Sequence, residues 1–145
     1  MRKISLMLMM ALATLVFVSC KKDSAPSTPV DPRDKFVGNY QGTFIFQYTG
    51  STSQSSTNTH TITKSASNSN QIIIDGNLTA NVNGNSYTYV QYTEVQQDPT
   101  YGAITITFNG VGTLNGSNLN ESGTFTTIIQ GTPLDGTWSS NLVKQ

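Results

Sequence analysis

The sequence predicts an all-β domain: an antiparallel meander of about eight or nine strands, closing as a barrel or half-barrel, with a β-sandwich as the alternative. Three observations predict it. Apolar residues recur at every second position through most of the chain after Phe36. Asn-Gly or Asp-Gly pairs stand at 75–76, 83–84, 109–110, 115–116 and 135–136, and such pairs favour tight hairpins. No stretch beyond Phe36 carries a helical period.

The elements follow in order. Asp31-Pro32 reads as a helix cap followed by a first-turn proline, and a single turn through Lys35 ends near Gly38. Thr43 to Tyr48 sets Phe44, Phe46 and Tyr48 on one face of a strand. A polar loop, 50–56, leads to a strand over Thr57–Lys64. Gln71–Ile74 turns at Asp75-Gly76 into a return strand carrying Leu78, Ala80 and Val82. Asn83-Gly84 leads into one strand from Ser86 to Val95. After the turn at 98–102, Ile104, Ile106 and Phe108 share a face. Asn109-Gly110 and Gly112 read as a turn or as a bulge inside a longer strand, and Asn115-Gly116 as a hairpin. Leu119–Ile129 follows, then a loop at Pro133–Gly136 and a closing strand, Thr137–Val143. Tight turns join antiparallel neighbours, and a barrel leaves such a sheet no free edge.

The first 22 residues have a different logic. Met1-Arg2-Lys3, an apolar run from Ile4 to Val18, and Ser19-Cys20 form a basic start, an apolar core and a small residue before a cut, the parts of a secretory signal. The apolar run is shorter than the roughly 20 residues that span a bilayer. Phe17-Val18-Ser19-Cys20 resembles a bacterial lipobox, with Phe17 where Leu is commonest. That resemblance implies cleavage before Cys20 and lipidation of its thiol. Three parts result: a signal peptide at 1–19, a lipidated cysteine and flexible tether at 20–30, and a β domain at 31–145. Lys21, not Asp, follows the cysteine, so the expected anchor is the outer membrane, with periplasmic and surface sides both open.

Removing 1–19 leaves 126 residues with six basic and eight acidic side chains, a size for one domain. No basic patch is present to hold nucleic acid. Cys20 is the only cysteine, so the domain has no disulfide and relies on burial and strand pairing.

Further resemblances concern the mature chain. The Ser/Thr/Pro tether, Asp34-Lys35-Phe36-Val37-Gly38-Asn39-Tyr40-Gln41-Gly42-Thr43, the hairpin Gly112-Thr113-Leu114-Asn115-Gly116-Ser117-Asn118-Leu119 and the closing Leu142-Val143-Lys144-Gln145 resemble small envelope lipoproteins of Bacteroidota. These are similar in outline to lipocalin-like barrels, and Gly38-Asn39-Tyr40 resembles the lipocalin Gly-x-Trp opening with Tyr in place of Trp. Asp23-Ser24-Ala25 resembles the O-glycosylation pattern of that group, which implies a modification at Ser24.

Few residues suggest chemistry. His60 is the only histidine, and no ligand-spaced cluster surrounds it, so no metal or other cofactor is expected. A solvent-facing or cross-strand place is expected for it, with Ile62 on the same face. Glu94 and Glu121 are the only glutamates, and nothing in the sequence brings them together for acid–base work; exposed strand positions are expected. No Gly-x-Ser-x-Gly elbow is present. The remaining candidates are aromatic. Tyr87, Tyr89 and Gln91 are placed on one strand face with Tyr92 on the other, and Trp138 is the only tryptophan. Tyr87, Tyr89 and Trp138 are the residues that a small-ligand site would use.

The expected function is that of a non-enzymatic, lipid-anchored envelope protein that binds a small apolar ligand or an envelope protein. The alternative is a structural or accessory module of an outer-membrane complex without a cavity. Phe44, Phe46, Ile104, Ile106, Phe108 and Phe125 filling the interior would leave no room for a ligand.

Overall fold

The computed structural model describes residues 29–145. The signal peptide, Cys20, Ser24 and most of the tether lie outside the described residues. Nine strands follow one another: β1 (Gly38–Tyr48), β2 (Gln54–Lys64), β3 (Gln71–Ile74), β4 (Leu78–Asn83), β5 (Ser86–Tyr89), β6 (Tyr92–Asp98), β7 (Gly102–Asn115), β8 (Asn118–Ile129) and β9 (Thr132–Lys144).

Each strand pairs antiparallel with its neighbours, and β1 pairs with both β2 and β9. The ring closes through β5 on β7. β5 and β6 flank the same edge of β7: Thr88 stands opposite Val111, and Tyr92 opposite Phe108. The first strand advances one residue further than the second between these pairs. Val90-Gln91 is therefore a bulge within one bent strand, not a link between two. The ring thus has eight strand positions. A barrel of that size encloses just enough room for side chains or one small ligand. The predicted meander closes as a barrel.

The sequence expectations are corrected at four places. The strand expected over Ser86–Val95 is broken by the bulge. β2 starts at Gln54, inside the expected loop. The last turn falls at Gln130-Gly131, both at positive φ, and not at Pro133–Gly136, which lies within β9. Asn109-Gly110 lies inside a longer strand, β7, but as regular strand with neither a turn nor a bulge. The glycines at these last two places have other work. An added Cβ on Gly136 would sit 2.3 Å from the Phe125 ring, and one on Gly110 would sit 2.6 Å from the Trp138 ring. Opposite Gly110 stands Gly123, equally crowded by Trp138. The pair clears a slot for the indole, whose Nε1 donates to Asn109 O at 3.1 Å.

One end of the barrel is sealed. Instead of the expected helical turn, Asp31–Phe36 makes two tight turns, Asp34 N to Asp31 O and Phe36 N to Arg33 O. Asp31 still acts as a cap, its Oδ1 accepting from Arg33 N at 2.9 Å. The turns drive Phe36 into the barrel, where it is fully buried edge-on against Tyr87. Burial of such a ring contributes about 2–3 kcal/mol. Arg33 Nη1 donates to the carbonyls of Ser65, Asn68 and Gln71 and ties the plug to the β2–β3 loop. Its guanidinium, hydrogen-bonded to Asp31, holds that carboxyl well below the usual carboxylate range.

The opposite end is open. β2 meets β3 only at Ile62–Lys64, so its Gln54–Thr61 part has no strand on that flank. β6 pairs with β7 alone. The wall is interrupted between these two edges, and the interior opens there.

Candidate functional site

The interruption leads into a cavity of about 230 Å³. Phe44 from β1, Tyr89 from β5, Phe108 from β7 and Trp138 from β9 supply its apolar floor. Asn58 and His60 from β2, Asp75 and Asn77 from the β3–β4 turn, and Tyr92 and Glu94 from β6 supply a polar rim. A second cavity of about 190 Å³ shares Phe44 and Phe108 and continues over Phe46, Tyr48, Ile106 and Phe125. Of the residues whose filling of the interior would exclude a ligand, Phe44, Phe46, Ile106, Phe108 and Phe125 line these two cavities.

The aromatic candidates separate. Tyr89 and Trp138 line the first cavity. Tyr87 does not: it is 1% exposed, beneath Phe36, with its ring packed where a Cβ on Gly112 would otherwise stand. Gln91 is exposed, whereas Tyr92, expected on the opposite face, lines the cavity. The bulge causes both reversals, because one extra residue inverts the alternation beyond it.

Behind the rim lies a buried polar cluster. Glu121 is 3% exposed on β8, contrary to the expected exposed position. Its Oε1 accepts from the hydroxyls of Tyr87 and Tyr89, the latter at 2.6 Å. Its Oε2 accepts from the Ser140 hydroxyl and faces His60 Nε2 at 3.3 Å. His60 is buried too, not solvent-facing, and its Nδ1 meets Asp75 Oδ2 at 2.6 Å. Asp75 Oδ1 accepts from Thr61 N at 2.8 Å, which caps the edge of β2 where β3 ends. Ile62 shares the inward face with His60, as expected, and both are buried.

Electrostatics fix the charge state. Burial pulls the imidazole pKa down, but the hydrogen bond and charge of Glu121, and then those of Asp75, more than reverse this and raise it to about 9. Burial pushes the Glu121 carboxyl up, and the His60 charge and the Ser140 and Tyr87 hydroxyls pull it below its ordinary value. Burial and the Glu121 charge raise both tyrosine hydroxyls. At neutral pH the centre is a carboxylate–imidazolium–carboxylate chain. Asn58 Nδ2 lies 3.2 Å from Nε2; because an imidazolium donates from both nitrogens, that amide turns its oxygen to the ring when His60 is charged.

The two carboxylates sit on opposite ring nitrogens, and no metal-holding group of His, Cys, Asp or Glu occurs among the described residues. A protonated, doubly bonded imidazole has no lone pair to accept a proton. Glu94 lies on the rim and bonds to Gln96, away from Glu121. The missed residue with a readable signal is Glu121. Leu119, Glu121, Gly123 and Phe125 alternate on one face, and that face carries Leu119 and Phe125 into the core.

Fold and site together define a small one-ended β-barrel with an amphipathic mouth. No protein-family model matches the chain, and no curated protein matches its sequence.

Proposed function

We propose that the protein is a lipid-anchored, non-enzymatic envelope protein that binds a small amphipathic ligand in the open end of its barrel. The observation that carries this reading is the 230 Å³ cavity with an aromatic floor and a polar rim. Such a lining suits ligand recognition, and the volume, below the usual range of about 300–1,000 Å³, suits a compact head group.

The anchor reading rests on Phe17-Val18-Ser19-Cys20, and it fits the barrel's polarity. The tether enters the domain at Asp31, on the sealed end. A lipid on Cys20 then joins the barrel through its sealed end and leaves the mouth clear of the attachment. Ten residues, Lys21–Val30, separate the two, a reach of about 35 Å when extended. Cys20→Ala is expected to abolish incorporation of a clickable fatty acid; persistent labelling of that variant overturns the anchor.

A native mass spectrum of protein purified from its own envelope tests the binding role. Acyl chains and a releasable small adduct are expected, and quenching of Trp138 emission on rebinding places the adduct in the mouth. A lipidated protein that carries no adduct, and whose emission no ligand alters, counts against it. A second reading, the accessory module, draws on one observation: β6 has a free edge and a 62% exposed Val95, to which a partner strand can pair.

A further inference from the structure

Resting on the ligand-binding reading above, we infer that the ligand is an amphipathic organic cation, its ammonium head in the first cavity beside Glu94 and Asp75 and its apolar body in the second. The first line of argument is charge. Rim groups of the first cavity comprise two carboxylates, Asp75 and Glu94, against the single imidazolium of His60, whose charge is further offset by Glu121. No lysine or arginine among the described residues lines either cavity. An anion finds no free donor at His60 either, since Nδ1 is held by Asp75 and Nε2 by Glu121.

The second line is the floor. Phe44, Phe108, Tyr89, Tyr92 and Trp138 surround the same space. Ring faces attract cations, tryptophan most, and the attraction strengthens where water is displaced. An aromatic enclosure beside carboxylates discriminates for an ammonium group over its uncharged carbon isostere.

The third is the continuation. The second cavity is lined by apolar side chains, the Tyr48 ring and Thr127, which is 2% exposed and whose Oγ1 has no hydrogen-bond partner among the described residues. Buried hydroxyls are normally bonded. The Thr127 hydroxyl is itself covered, so what the second cavity offers a ligand body is its aromatic and aliphatic lining.

The test compares three probes on the full mature protein by calorimetry and Trp138 emission: butyrylcholine, its carbon isostere 3,3-dimethylbutyl butyrate, and the hexanoate anion. Butyrylcholine is expected to bind about tenfold more tightly than the isostere at low salt. The advantage shrinks as salt rises. Glu94→Gln, a change at a half-exposed side chain, is expected to narrow it about fivefold while leaving the isostere's affinity unchanged. Isostere or hexanoate binding as tightly as butyrylcholine overturns the cation and leaves the binding role standing. Silence from all three probes overturns the cation as well, and an adduct-free native spectrum beside it removes the binding role too.

Discussion

Replacing Glu121 by alanine is expected to destabilise the domain by about 3–5 kcal/mol, a large part of the total stability of a domain this size. The carboxylate is 3% exposed and serves four groups at once: the hydroxyls of Tyr87, Tyr89 and Ser140, and the His60 ring. Truncation leaves three buried hydroxyls without their acceptor, and an orphaned buried polar group costs about 1–3 kcal/mol. It also removes the counter-charge that contributes most to raising the His60 pKa. The contributions do not add, because the imidazole can shed its proton and the tyrosines can turn toward water let into the gap. Glu121→Gln keeps one acceptor but points an amide N–H at donors, so an intermediate loss is expected. Glu94→Gln, on the rim, is the control and stays within about 0.5 kcal/mol of the parent. Urea unfolding of the three variants checks the order; an unchanged midpoint for Glu121→Ala would mean that the cluster contributes nothing to stability.

Much of the barrel was legible because local chemistry dictates it. Asp75-Gly76 turns with both residues at positive φ, as the dipeptide predicts. Phe44, Phe46 and Tyr48 pack on the core from one face of β1. The failures share a cause. Gly110 and Gly136 look like hairpin glycines, yet they sit mid-strand to admit Trp138 and Phe125. A glycine needed for a turn and a glycine needed for a ring on another strand carry the same local signature. Only the register, which sets Gly110 opposite Gly123 and Gly123 opposite Trp138, tells them apart. The Val90-Gln91 bulge is likewise invisible without β7 alongside, and it decides which tyrosines reach the cavity. The buried cluster draws His60, Asp75, Glu121 and Ser140 from β2, a turn, β8 and β9, so ring closure itself assembles it. Mouth and cluster are products of long-range pairing, and that is why the acids looked like ordinary exposed strand residues.

The second large effect is a loss of stability on the alkaline side. His60 has a folded pKa raised from 6.5 to about 9. A group raised in this way stabilises the fold fully below its unfolded pKa, where both states hold the proton. Above about 6.5 the unfolded chain releases it while the folded chain keeps it, and stability falls with each pH unit until about 9, beyond which the contribution is gone. At about 1.4 kcal/mol per pH unit the full fall is about 3–4 kcal/mol, a ceiling because the same interaction lowers Glu121. Glu121 acts at the other side: its depressed pKa gives stability present above 4.5 and lost as pH falls through the folded value. Maximum stability is therefore expected between about pH 4.5 and 6.5 as far as this pair decides it. His60→Ala is expected to flatten the alkaline limb and to lower the plateau, because Glu121 then lies buried without its cation. Urea midpoints measured across this range separate the two changes. As the chain has a single histidine, its ring resonances give a direct reading by NMR. A titration midpoint near 6.5 in the folded protein, or an alkaline limb unaltered in His60→Ala, would show that the imidazole is not held as a cation by Glu121 and Asp75.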